Sequence, residues 1–130
     1  MSLNVRVITP DKVVWDANSE ELILPSSTGQ LGILTDHAPL LTALDIGVMR
    51  LKTGTEWTSI VLMEGFAEVE NNKVTVLCNG AEEANSIDAT KAQADLEKMT
   101  LLVDEAATKK EKIEATLELR KSKARLQAVS

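Results

Sequence analysis

The chain predicts a mainly β fold with an α appendage: an N-terminal antiparallel β-sandwich followed by helix in the final third. Two observations carry this. Every proline and glycine lies in residues 1–80, where short alternating apolar runs are separated by turn-forming clusters. From about Ser86 onward there is neither Pro nor Gly, and Ala, Glu, Lys and Leu dominate.

The strands follow in order. In "LNVRV" the apolar Leu3, Val5 and Val7 alternate with Asn4 and Arg6, the period of a half-buried strand. Further candidates are "KVVW", "ELILP", "LGIL", "VMRLK", "TSIVLM", "FAEVE" and "KVTVLC". Between them "DANS", "SSTG", "DHAP", "DIG", "TGTE" and "ENNK" read as turns. Eight or more short strands with no intervening helices favour a sandwich or barrel over a doubly wound sheet.

"NGAEEAN" reads as the connection to the helical part, which divides the chain into a sandwich over 1–84, a linker at 85–87 and a helical segment over 88–130. Ser86 or Asp88 can cap the first free backbone N–H groups. Ala92, Leu96, Met99, Val103 and Ala106 form an apolar stripe that continues through Ile113, Leu117 and Ala124. A hairpin breaking within "VDEAATKK" and one continuous helix both satisfy it. The segment holds few large aliphatics for its length. Full burial of each would contribute roughly 1.5–3 kcal/mol, against a backbone ordering cost of roughly 1–2 kcal/mol per residue. Such a segment needs the sandwich or a partner to hold one conformation.

Composition excludes several functions. Trp15, Trp57 and Phe66 are the only aromatics, so stacking platforms for bases or sugars are nearly absent. A net charge of −6 argues against a nucleic-acid binder. The charge is nevertheless polarised. Residues 1–104 carry 7 basic and 16 acidic side chains, and residues 105–130 carry 7 and 4. The tail is therefore a basic strip (Lys109, Lys110, Lys112, Arg120, Lys121, Lys123, Arg125) suited to an acidic partner. Nothing approaches the roughly 18 apolar residues of a membrane span, and "MSLNVRVITPD" lacks a hydrophobic signal core. The expectation is a soluble protein of a reducing compartment.

Candidate chemistry is sparse. Cys78 lies in phase with Val74 and Val76, as an inward-facing structural thiol would. One His and one Cys far apart, with scattered carboxylates, support no metal site. "GQLG" precedes no helix and lacks a lysine, so it is no phosphate loop. Ser26, His37 and Asp36 could be written as a catalytic triad, but Asp36 adjoins His37 and is poorly placed to orient it. A loop-shaping or interface role suits His37 better.

The stretch "GQLGILTDHAPLLTALDIGVMRL" resembles the signature of the epsilon subunit of F-type ATP synthases, G-x-L-G-I-x-x-x-H-x-P-L followed by an apolar strand. "VITPDKVVW", "GFAEVENNKVTVLCNGAEEA" and the "SID" that opens the helices agree along the chain. "VVWD" and "TALDIGVMRL" look most like the chloroplast and cyanobacterial branch. The resemblance implies a ten-stranded sandwich and a C-terminal two-helix hairpin, in a non-catalytic subunit of the rotating central stalk of a proton-translocating synthase. It implies docking to the gamma subunit and the c-subunit ring through a loop of Gly29, Gln30, Leu31, Gly32, His37 and Pro39; family members often carry Glu in place of Gln30. It implies that residues 88–130 form a regulatory arm that extends to the alpha/beta catalytic head and blocks ATP hydrolysis, with Arg120, Lys121, Lys123 and Arg125 meeting an acidic loop of beta. Some relatives bind ATP in the folded hairpin through I/L-D-x-x-R-A; here "IDATKA" keeps Asp88 but has Lys91 for Arg, with Lys121 and Arg125 as second-helix cations. Lysine lacks the planar fork of arginine, so the expectation is weak or no ATP binding and no other cofactor. The resemblance places the protein peripherally on the stromal or cytoplasmic side of an energy-transducing membrane, a thylakoid by its branch. It is expected to meet the membrane only through the complex, to bind no nucleic acid and to be monomeric alone. The alternative is a free-standing β-sandwich interaction module whose helices dimerise as a coiled coil.

Overall fold

The computed structural model describes residues 2–130. It contains β1 (Leu3–Ile8), β2 (Val13–Ser19), β3 (Glu21–Ser26), β4 (Gly29–Leu34), β5 (Leu40–Thr53), β6 (Glu56–Glu70), β7 (Lys73–Cys78) and β8 (Ala81–Glu83). A 3-10 turn (Ala84–Ser86) leads into helices α1 (Ala89–Glu105) and α2 (Lys109–Val129).

The eight strands form one continuous hydrogen-bonded path, β2-β1-β7-β6-β5-β3-β4, with β8 added to β6. The path becomes a sandwich because β5 and β6 are long and serve both layers. Leu40–Leu44 pair with Gly65–Val69, which also pair with β7. Ile46–Thr53 pair with Glu56–Met63, and these segments also pair with β3 and β8. Asp45 and Glu64 lie opposite each other at the junction without a ladder pair, and Glu64 has φ 72°. Counting each half of β5 and β6 as a strand gives two layers of five. The first layer is β2-β1-β7-β6-β5 and the second is β4-β3-β5-β6-β8. The ten strands implied by the family resemblance are these.

Two turns and part of the connection expected from sequence are instead strand. "DANS" lies within β2, "DIG" within β5, and "NGAEEAN" includes β8. The runs "TSIVLM" and "FAEVE" are two halves of β6. Glycine permits the "DIG" passage. A Cβ at Gly47 would sit 2.7 Å from the Pro25 Cβ of β3, so only a bare backbone fits beside that ring. Gly65 is tighter still, since a Cβ there would run into the Leu77 carbonyl and lie 2.7 Å from Cys78 Cα.

The core lies between the layers. Leu3, Val5, Val7, Val69, Val74 and Val76 face inward from the first layer, and Leu22, Leu24, Ile33, Met49, Leu51, Ile60 and Leu62 from the second. Period-2 alternation sends Val48 and Val61 to the opposite side of the second layer, where they meet Ala124 of α2 and, at the edges, Ile46, Met63, Ile87 and Ala128. One outer face of the sandwich is thus covered by helix.

The helical part is a hairpin. Asp88 caps α1, its carboxylate accepting from Thr90 N and Lys91 N, while Ser86 Oγ turns back to the Glu83 carbonyl. Ala106 and Thr108 take extended backbone and end the first helix. Thr108 Oγ1 accepts from Glu111 N at 3.1 Å, an N-cap that starts α2, and the Glu111 carboxylate reaches one residue further back to accept from Ala107 N at 3.1 Å. Only Ala92, Ser122 and Ala124 of the hairpin are fully buried. Leu101, Leu102 and Ile113 are exposed, so the aliphatic burial available to the segment is only partly realised.

Gly65→Ala should destabilise the sandwich by about 2 kcal/mol or more, because the clash is with backbone rather than a movable side chain. Urea unfolding followed by circular dichroism checks it, with a lower midpoint expected at unchanged slope.

Candidate functional site

With so few aromatic or titratable clusters, the site has to be sought on surfaces. Three stand out.

The first is an edge. β4 terminates the sheet path, and Gly29, Gln30, Gly32 and Leu34 are exposed along it, Leu34 at 57%. Alternation turns Leu31 and Ile33 toward the core. Of the residues implied as a docking loop, Gly29, Gln30, Leu31 and Gly32 therefore belong to this strand, with Leu31 turned inward. His37 and Pro39 lie in the β4–β5 connection beyond its other end. They form one edge, not one loop, and Leu34 extends it. Its exposure could be read from its alternation with Ile33. An uncovered edge strand is a ready surface for a partner.

His37 is half-buried, with Nδ1 2.7 Å from the Ala38 carbonyl and its N–H donating to the Leu34 carbonyl. Asp36 points elsewhere. Its backbone N–H donates to Asn72 Oδ1 at 2.6 Å, and its carboxylate accepts from Asn72 Nδ2 at 3.1 Å. Ser26 is bonded to Thr28. The three residues that could be written as a triad each have other partners.

The second surface is the outer face of the first layer. Cross-strand register aligns Ala43, Phe66, Leu77, Ile8 and Val13 in one row over all five strands. Phe66 is 58% exposed and Leu77 53%. A depression of about 640 Å³ adjoins the row, lined by Pro10, Phe66 and Leu77 and bordered by Asp45 and Glu64. This row was missed in the sequence because its members come from five separate strands.

The third is the interface between hairpin and sandwich. Arg125 of α2 grips Glu82 of β8 with both ends of the carboxylate, Nε–Oε1 at 2.9 Å and Nη2–Oε2 at 2.8 Å. That hydrogen-bonded carboxylate raises the guanidinium pKa above its usual value, against a smaller opposing effect of burial. Arg120 lies 3.6 Å from Asp45, and Lys121 bonds Glu118 on its own helix. Lys123 is exposed. Arg125, Asp88 and Lys91 line a cleft of about 300 Å³ together with Glu82 and Asp95. Lys121 does not line that cleft.

Comparison with known proteins shows the family. Residues 2–84 match the family described as "ATP synthase, Delta/Epsilon chain, beta-sandwich domain". The chain is 85% identical over its full length, and that of the relative, to the chloroplastic ATP synthase epsilon chain of Emiliania huxleyi. It is 65% identical to that of Guillardia theta, covering 100% of this chain and 99% of the other.

The chain belongs to the ATP synthase epsilon family.

It is also 56% identical to the ATP synthase epsilon chain of Thermosynechococcus vestitus, covering 98% of this chain and 95% of that one. Its fold is similar to a chain in the Euglena gracilis mitochondrial ATP synthase, with TM-score 0.87 at 17% identity over 99% of this chain and 82% of that one. Family membership turns attention from His37 as a reactive group to the three surfaces.

Cys78 belongs to none of them as a reactive group. It is buried in the core, and burial raises its thiol pKa, a hydrogen bond to the Gly80 backbone only partly offsetting it. A raised folded pKa leaves the native state unpenalised below the ordinary thiol value and costs stability as pH rises past it. Native protein should resist a maleimide or disulfide reagent at neutral pH and react stoichiometrically once unfolded in urea; a colorimetric thiol titration reads both.

Proposed function

We propose that the protein is a non-catalytic rotor subunit of a thylakoid ATP synthase, joining the gamma subunit to the c-subunit ring and restraining ATP hydrolysis through residues 88–130. The observation that carries this reading is the pair of apolar outer faces on one sandwich. The hairpin covers one, and the row through Phe66 and Leu77 lies open. A sandwich that needs only its interior has no use for the second face. Gamma occupies it, and the β4 edge with Gln30, Leu34 and His37 meets the ring.

The arm reading rests on weak attachment. Ala124 and Ala128 contribute little apolar area, so the Arg125–Glu82 pair is the main polar tether of the hairpin. A charge-assisted bidentate pair contributes about 1–2 kcal/mol here once its partial exposure to solvent is allowed for. The same Arg125, with Arg120, Lys121 and Lys123, faces the acidic loop of the catalytic head when the arm extends. Folded and extended arms then compete for the same cations.

ATP is a poor ligand for the folded hairpin. Glu82, Asp88 and Asp95 outnumber Lys91 and Arg125 in the cleft, Arg125 is held by Glu82, and Asp88 is committed to capping α1. A triphosphate would have to break both arrangements among like charges. Calorimetric titration with Mg-ATP should show no saturable heat.

Glu82→Gln should release the arm. Amide exchange in α2 should quicken about tenfold, matching a loss of about 1.4 kcal/mol, while the sandwich stays protected. Added to an epsilon-depleted synthase head, this variant should inhibit ATP hydrolysis more than the parent chain does. Removing residues 88–130 should abolish inhibition and spare gamma binding. Phe66→Glu should weaken gamma binding at least tenfold without lowering the unfolding midpoint, because Phe66 already faces water. Equal inhibition by the truncated chain would refute the arm.

A further inference from the structure

We infer that Asn72 is a positioning residue for the docking connection that carries His37, acting through a reciprocal amide–carboxylate pair with Asp36. The inference rests on the reading that this edge meets the ring.

The β4–β5 connection lacks glycine, and its Asp36 adopts φ 64°, a left-handed conformation that Asp reaches more readily than most residues but that competes with its right-handed wells unless other bonds favour it. The partner lies 36 residues away, in the two-residue Asn71–Asn72 turn between β6 and β7, where both residues have positive φ (50° and 62°). Asn72 Oδ1 accepts from the Asp36 backbone N–H at 2.6 Å, and Nδ2 donates to the Asp36 carboxylate at 3.1 Å. The Asn72 carbonyl also accepts from Asn4 N at 2.8 Å, fastening the turn to β1. Asn72 therefore ties the exposed connection to an anchored point of the first layer.

An amide is the group this geometry needs. The backbone N–H requires an acceptor and the carboxylate requires a donor, and a primary amide presents both on one plane. A carboxylate at 72 would accept from the N–H but repel Asp36. A glycine at 72 would tolerate the positive φ and keep the turn while removing the clamp. The turn-forming and clamping roles of Asn72 can thus be separated.

The test uses the full chain and three variants, Asn72→Gly, Asn72→Asp and the exchange double variant D36N/N72D. The readouts are amide exchange at residues 36–37 and binding to a purified gamma–c-ring assembly. Asn72→Gly should fold with its core protection intact, quicken exchange at Asp36 about tenfold, and weaken ring binding severalfold, because the docking geometry becomes one of several populated. Asn72→Asp should do the same more strongly. In D36N/N72D the donor and acceptor swap sides, so both readouts should return toward parental values, which a purely turn-forming role would not produce. Unchanged exchange at Asp36 in Asn72→Gly, or no rescue by the exchange variant, would overturn the clamp. His37→Ala serves as the control on docking itself. If it weakens ring binding and Asn72→Gly does not, positioning is overturned. If neither does, the docking reading fails and takes the positioning role with it.

Discussion

The structure depends on one constraint, the simultaneous bend of β5 and β6 at Asp45 and Glu64. A single hydrogen-bonded path of seven strands, with β8 beside it, would otherwise be an open sheet with two wet faces and no interior. Bending both strands of the longest pair at the same level folds the path over itself, so that Leu44 and Gly65 belong to one layer and Ile46 and Met63 to the other. The bend requires a left-handed residue at Glu64, a bare backbone at Gly65 against Leu77, and another at Gly47 against Pro25. These three departures from ordinary strand geometry sit within two residues of the corner, as expected where a strand changes sheets.

Two outer faces follow from that bend, and their chemistry differs. On the second layer, small alanines of α2 meet Val48 and Val61. Small side chains let a helix approach closely but offer little area, so specificity falls to Arg125 and Glu82. On the first layer, larger residues, Phe66 and Leu77, stand open in water. A reversible contact suits alanines and one ion pair. A permanent one suits an aromatic anchor in a broad apolar row. The first-layer face keeps its large apolar side chains in water, whereas the second covers its valines with helix.

Much of this was legible in the residues. Alternation in "LNVRV" and "KVTVLC" identified β1 and β7 and their inward Leu3, Val5, Val74 and Cys78, because period 2 survives any tertiary arrangement. "DIG" misled because Asp and Gly before a valine are ordinary turn chemistry; only the close approach of Pro25, distant in sequence, explains glycine within a strand. The hairpin break was open on apolar spacing, which passes through residues 106–108 in phase. The signal lay in "TKKE", where Thr108 caps Glu111 N and the Glu111 carboxylate reaches back to Ala107 N. The basic strip was legible as charge, but Glu82 as its partner was not, since pairing across 43 residues leaves no local pattern. The apolar row and the Asp36–Asn72 pair were invisible for the same reason.

The remaining question is whether the two faces communicate, and magnitudes answer it. Asp45 borders the depression on the open face and also lies 3.6 Å from Arg120 of α2. Both side chains of that pair are about half exposed, which places the interaction at the weak end, where exposed ion pairs contribute a few tenths of a kcal/mol. A partner covering Asp45 could therefore bias the arm by only about a factor of two, since 1.4 kcal/mol is needed for ten. Arg125 and Glu82 lie on the opposite side of the second layer and are untouched by such a partner. The sandwich thus holds its docking surfaces and its arm in nearly independent equilibria. Strong control of the arm has to come from what competes for Arg125 directly, not from what grips the open face.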